Sequence, residues 1–341
     1  MHAYDALMPE VIIDALAALG FLVDGRLSAM SSYENRVYLA MLESGEGVVT
    51  KFYRPKRWSP EQILEEHAFA FALMNAEVPM VAPFIINGLS LFSTKDLGLK
   101  VETEFYFSVS PKKGGRSPNL DDPNVLMWLG RYMARIHDVG QKEPFKYRET
   151  LDLQTLGLDS INSVIELDAI PLQFKDRWIQ QCEIALDIVR QALNSKSQIL
   201  RIHGDCHSGN ILWTPIEITG GGPHFVDLDD ARMGPAVQDL WMLLSGDRSE
   251  RTYQLSSILE GYTSIRPFAN SELALIEPLR TLRMIHYSAW LARRADDPSF
   301  VINFPWFWSP DYWQTQIDIL NEQIEVMQEP PLFSQGNSYL I

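Results

Sequence analysis

Apolar residues fall in two different rhythms along the chain. Up to about residue 110 they come mostly in short, strand-length runs, and beyond residue 120 at the three- and four-residue spacing of helices that bury one face. An opening helix is predicted over Pro9 to Leu19, with Pro at its first position and Gly20 just past its end. Asn35 to Leu42 and Gly47 to Tyr53 are strand-like, and Glu43-Ser-Gly-Glu46 supplies the turn of an antiparallel hairpin. Ser59-Pro-Glu-Gln62 combines a capping serine, a first-turn proline and a glutamine three residues after the cap, which starts a helix running to Asn75. Val81 to Ile86, Ser90 to Ser93 and Glu104 to Val109 are further strand candidates.

Ser110-Pro-Lys-Lys-Gly-Gly-Arg-Ser-Pro-Asn119 then interrupts the pattern with loop-forming residues. After it, Val125, Leu126, Leu129, Met133 and Ile136 mark one buried helix face, capped at Asp122-Pro123. Helices are also expected over Phe174 to Leu193, Pro235 to Leu244, Arg251 to Tyr262, Glu272 to Arg294 and Tyr312 to Met327. Gly220-Gly-Gly222 reads as the tip of a hairpin joining Trp213 to Phe225. The pattern predicts an α+β chain of two lobes. A small antiparallel sheet with one main helix (residues 1–110) is followed by a hinge (111–120), a larger and mostly helical lobe (121–328) and a loosely held tail (329–341).

Composition narrows the function. The 341 residues are 46% hydrophobic, ample for a core, and the formal charge of −15 opposes a role that tracks a polyanion such as nucleic acid. Cys182 and Cys206 lie far apart without metal-ligand spacing, so neither a disulfide scaffold nor a zinc site is expected. No export signal or membrane-length apolar run is read, and the expected setting is the cytoplasm.

The chemistry gathers on Ile199-Leu-Arg-Ile-His203-Gly-Asp205-Cys-His-Ser-Gly-Asn210-Ile-Leu-Trp213, where two short apolar runs flank a polar loop. The five-residue step from Asp205 to Asn210 matches the catalytic loop of kinases, in which the Asp takes the proton of the acceptor hydroxyl and the Asn binds magnesium. The strand-like run His224 to Val226 ends on Asp227-Leu-Asp229-Asp230. Asn210 and Asp227 offer hard oxygens for magnesium, and Asp229 could reach a second ion. Lys51, late in its strand, is placed to hold phosphates, with Glu65 or Glu66 on the following helix as its fixing partner. Asp239 could hydrogen-bond the catalytic-loop backbone. His203 reads as a brace for the loop, His207 as either substrate-facing or simply exposed, and Cys206 as a packing residue. Arg280 and Arg283 share a helix face with Tyr287 and Trp290, a face that reads as core edging with a salt bridge or as a substrate groove.

His203-Gly-Asp205 with Asn210, Asp227-Leu-Asp229 and Gly234-Pro-Ala-Val-Gln-Asp239-Leu-Trp241 resembles the aminoglycoside phosphotransferase, choline kinase and homoserine kinase group of the protein-kinase-like fold. Ser32-Tyr-Glu-Asn-Arg-Val-Tyr38, Lys51-Phe-Tyr-Arg-Pro55, Ile63-Leu-Glu-Glu-His67 and Glu277-Pro-Leu-Arg280 are similar, more narrowly, to the bacterial stress response kinases, which phosphorylate protein serine and threonine. The resemblance implies ATP and Mg2+, a protein Ser/Thr acceptor, autophosphorylation, Asp205 as catalytic residue, Asn210 and Asp227 as metal ligands, and Ser32 against ATP. Lys51 and Glu66 join Ser32 as candidate nucleotide-site residues, with Glu65 the other possible partner of Lys51. It departs from ordinary eukaryotic-type protein kinases in lacking a glycine-rich phosphate loop, in reading Asp-Leu-Asp for Asp-Phe-Gly, and in lacking an Ala-Pro-Glu segment. A monomer without nucleic-acid or membrane partners is expected. The alternatives are a small-molecule alcohol kinase, a metal-dependent phosphohydrolase built on His203, Asp205, His207 and Asp227, and a pseudokinase.

Overall fold

Local start signals in the sequence set many of the element boundaries in the computed structural model, which describes residues 2–193 and 197–333. Of the expected tail, residues 334–341 lie outside the described residues. The chain runs α1 (Pro9–Ala18), β1 (Val23–Ala29), β2 (Arg36–Leu42), β3 (Gly47–Phe52), α2 (Pro60–Asn75), β4 (Phe92–Ser93), β5 (Tyr106–Pro111) and α3 (Pro123–Gly140). It continues through α4 (Asp159–Glu166), α5 (Leu172–Leu193), β6 (Leu200–Ile202), β7 (Ile211–Thr214), β8 (Gly222–Phe225) and β9 (Arg232–Gly234). The last elements are α6 (Val237–Trp241), α7 (Arg248–Thr263), α8 (Ile276–Ala292), α9 (Phe300–Asn303) and α10 (Pro310–Val326). Among the described residues no helix is long and apolar enough to cross a membrane.

The chain divides into two compact units. The first holds the chain up to Asn119 together with Phe145–Arg148 and His207–Ala231. Its five-stranded antiparallel sheet has the order β1-β2-β3-β5-β4, with Lys51 opposite Val37 on one side and Ser108 on the other. Ile12 and Leu16 of α1 join Phe52, Phe105, Phe107 and Val109 in a buried cluster, and Phe52 stacks on Phe107 at 4.8 Å. Ser59 and Gln62 form the expected capping box of α2. The β7–β8 hairpin pairs Ile211 with Phe225 and Thr214 with Gly222. Two features differ from the sequence reading. Val81 to Ile86 forms no strand: Pro83 interrupts the run, and Val81 N–H donates to Phe225 O while Phe84 N–H donates to Val109 O. Val23–Ala29 is a strand that the reading missed.

The second unit holds Leu120–Pro144, Glu149–Cys206 and the chain from Arg232 onward, and is mostly helical. Helices α3 and α7 approach closely because each offers a glycine to the other. A Cβ on Gly130 would stand 2.0 Å from Ile258 O, and one on Gly261 would stand 2.0 Å from Met127 O. Trp178 of α5 meets Trp313 of α10 edge to face at 5.9 Å. The expected helix over Pro235 to Leu244 is reduced to the five residues of α6, and Asn270–Leu275 is a 3-10 segment leading into α8. Strand β9, also missed, pairs antiparallel with β6.

Candidate active site

In the first unit Lys51 is the centre of a charge cluster. Its Nζ lies 3.0 Å from Asp227 Oδ1, 3.1 Å from Asp229 Oδ1 and 3.3 Å from Glu66 Oε1. Burial opposes the lysine's charge, but Asp227, Asp229 and Glu66 outweigh it and hold the ammonium well above the ordinary lysine range. Burial alone would raise the Asp229 carboxyl, yet Lys51, Arg57 and Arg148 pull it well below the usual carboxylate range. Burial pushes the Glu66 carboxyl up against the opposing pull of Lys51 and Arg148. The sequence left open which glutamate meets Lys51, and the geometry gives Glu66. Glu65 instead accepts the backbone N–H groups of Lys146, Tyr147 and Arg148 at 2.6 to 2.9 Å.

Two arginines that sequence reasoning did not single out complete the cluster. Arg148 is fully buried: its Nη2 meets Glu66 Oε2 at 3.0 Å, and its Nη1 donates to the carbonyls of Leu228, Asp229 and Ala231. It therefore ties α2 to the acidic loop after β8. Arg57 reaches Asp229 at 3.3 Å, Asp230 at 2.8 Å and Glu34 at 2.7 Å. Nothing local in Tyr147-Arg148 signals this role; only the Arg57 position, close after Lys51-Phe-Tyr-Arg-Pro55, lay near a motif. Ser32 is partly buried in the turn between β1 and β2. Among the described residues it has no side-chain bond to the cluster, and its turn connects there through Glu34 and Arg57.

Asn210 and Asp227 stand at the same end of the β7–β8 hairpin, where Val226 N–H donates to Asn210 O at 3.0 Å. Asp227 adopts φ of 62°, a left-handed conformation that aspartate tolerates better than most residues and that concentrates at functional positions. Its side chain is 46% exposed, whereas that of Asp229 is 7% exposed. Asp227 is thus the carboxylate open to a ligand, and Asp229 is occupied by Lys51 and Arg57. His207 accepts the Gly209 N–H at 3.0 Å and caps the short 3-10 turn Ser208–Asn210.

Asp205 belongs to the second unit, at the end of the loop that follows β6. The backbone of this loop is clamped by α6. Asp239, fully buried, accepts the N–H groups of His203 and Gly204, each at 2.8 Å, and lies 3.1 Å from His137 Nε2. Gln238 donates to Gly204 O at 3.1 Å. Asp239 takes the bracing position expected of it, while Gln238 and His137 are partners the sequence did not indicate. The Asp205 carboxylate itself meets Arg283 Nη1 of α8 at 2.7 Å. Arg280, on the same helix, lies over the Trp241 ring at 5.5 Å. Burial pushes the Cys206 thiol well up, so it stays a neutral packing group.

Comparison with known proteins gives this geometry a context. Residues 27–275 match the model of the phosphotransferase enzyme family. Stress response kinase A of Escherichia coli (strain K12) is 44% identical over 329 residues, 96% of each chain. A serine/threonine protein kinase, RdoA, of Salmonella typhimurium (strain LT2) is 42% identical over the same share of both. Among solved structures, the amicoumacin kinase hAmiN in complex with AMP-PNP, Ca2+ and Ami aligns with a TM-score of 0.72 at 20% identity, covering 97% of each chain. A microcompartment-associated aminopropanol kinase aligns with a TM-score of 0.69 at 17% identity, covering 93% of this chain and 96% of that one. The fold is accordingly the α+β, two-lobed, protein-kinase-like one. The family match and the curated relatives together show that the chain belongs to the phosphotransferase enzyme family and is related within it to the bacterial stress response kinases.

Proposed function

We propose that the protein is an ATP- and Mg2+-dependent serine/threonine protein kinase of the bacterial stress response. The observation that carries this reading is the Lys51 ammonium, fixed by Glu66, Asp227 and Asp229 within 3.3 Å. A flexible lysine stem needs such fixing to bind phosphates at a defined place. Lys51 would bind the α- and β-phosphates, and Ser32 and its turn would lie against the nucleotide. Asp205 accepts a hydrogen bond from the acceptor hydroxyl and orients it in line. As the new O–P bond forms and the bond to the ADP oxygen breaks, the hydroxyl proton passes to Asp205.

The residues fit the metal. Lys51, Arg54 (3.2 Å from Glu34), Arg57 and Arg148 bring four positive charges against the five carboxylates of Glu34, Glu66, Asp227, Asp229 and Asp230, which leaves one negative charge in the cluster. Asp227 and Asn210 would hold Mg2+ through hard oxygens, with its other positions taken by phosphate oxygens and water. When bound, the ion supplies neutralisation of the charge on the transferring phosphoryl group.

The protein acceptor is supported by the curated relatives, named stress response kinase A and serine/threonine protein kinase. On this reading the protein also phosphorylates itself and works as a cytoplasmic monomer. A small-molecule alcohol acceptor is the second reading, favoured by the solved neighbours, an amicoumacin kinase and an aminopropanol kinase. Incubation with γ-labelled ATP and Mg2+, alone and with a generic basic protein, tests the choice. Label on protein serine or threonine supports the first reading. ATP consumption that requires a small alcohol, with no protein labelled, supports the second.

A further inference from the structure

The contact between Arg283 and Asp205 joins two residues of unlike setting. Asp205 Oδ1 is shielded from solvent, whereas the Arg283 side chain is 46% exposed. A pair of this kind is not a core element on which folding depends. Its partner carboxylate, however, is the one to which the proposed reaction assigns the acceptor hydroxyl. Asp239 and Gln238 fix the backbone of the loop at His203 and Gly204. The side-chain torsions of Asp205 are left to contacts made by the carboxylate itself, and a misplacement of about 1 Å at a reacting group can cost about 100-fold in rate.

Helix α8 is a firm platform for that contact. Leu279, Leu282 and Ile285 are buried, Glu277 near its start is held by Arg251 at 2.9 Å and Gln323 at 3.0 Å, and His286 meets Ser160 at 3.0 Å. Arg283 therefore extends to Asp205 from an element that its neighbours hold in place. Tyr287, one turn further along, stacks on Trp290 at 5.8 Å.

We propose that Arg283 is a positioning residue for phosphoryl transfer, orienting the Asp205 carboxylate to receive the acceptor hydroxyl. The inference rests on the reading of Asp205 given above. It is tested by steady-state labelling with γ-labelled ATP and the generic basic protein, using Arg283→Gln, Arg283→Lys and Asp205→Asn beside the unmodified protein. Arg283→Gln is expected to lower kcat by about 10- to 100-fold, with the KM for ATP and the melting temperature unchanged. Arg283→Lys, which keeps a charged donor, is expected to recover part of that loss. A normal kcat in Arg283→Gln beside an inactive Asp205→Asn would overturn the role of Arg283 and leave the kinase reading standing. So would equal losses in the Gln and Lys variants, or a loss expressed in the KM for ATP. Full transfer by Asp205→Asn would overturn the reading beneath it.

Discussion

Arg148 Nη2 lies 3.0 Å from Glu66 Oε2 with the guanidinium fully buried, so the glutamate that holds Lys51 is itself held from its other side. The same guanidinium occupies three carbonyls of the loop carrying Asp229. Replacing it with a neutral chain of similar length would remove the partner of the buried Glu66 Oε2, leaving that carboxylate to Lys51 alone, and the donor to several carbonyls. Arg148→Met is expected to cost about 3–5 kcal/mol of folding stability, measured by urea unfolding, a large loss for a residue in an irregular segment. A change below about 0.5 kcal/mol would contradict this assignment.

Glu65 and Glu66 are neighbours with separate tasks. Glu66→Gln removes one of the carboxylates that fix Lys51 and is expected to raise the KM for ATP several-fold. Glu65→Gln weakens acceptance of the N–H groups from residues 146–148 and is expected to lower the melting temperature while leaving the KM for ATP near normal. Nucleotide titration and thermal unfolding of both variants check the pair. The opposite assignment of the two effects would refute it.

The division between what was legible in the chain and what was not follows the range of the interactions. The capping box at Ser59, the β2–β3 hairpin and the β7–β8 hairpin are written in neighbouring residues, and they position Glu66, Lys51 and Asn210. Strand β1 was not legible because it lies at the sheet edge, with five of its seven residues exposed and Gly25 within it, so it shows no two-residue alternation. The three residues of β9 form a strand only by pairing with β6. Val81 to Ile86 misled for the reverse reason: its apolar run packs without a ladder of its own. Arg148 lies 82 residues from Glu66 and Arg283 lies 78 residues beyond Asp205, and no spacing rule connects either pair. The motif residues, and Arg283 as a salt-bridge candidate, can be named from the sequence, whereas Arg148, Arg57 and the carboxylate that Arg283 meets require the fold.

His67 on α2 is bonded to Tyr53 at 2.8 Å and Ser90 at 2.9 Å in the interior, close behind Lys51. Burial, reinforced by the charges of Lys51 and Arg148, lowers its pKa from the ordinary 6.5 to about 3. The unfolded chain binds this proton more readily than the folded one. The stabilising contribution is therefore present above about pH 6.5 and is lost as pH falls toward about 3. Unfolding measured across that window should show stability declining by a few kcal/mol on acidification, with a shallower decline in His67→Gln. Identical slopes for the two proteins would count against a neutral, buried His67.

The most direct test of the account compares nucleotide binding with transfer in Asp205→Asn. The variant is expected to bind ATP as the unmodified protein does, because the Lys51 cluster is intact, while its rate of γ-phosphoryl transfer falls by about 100-fold or more. Transfer at the normal rate would contradict the role given to Asp205 and, with it, the proposed mechanism.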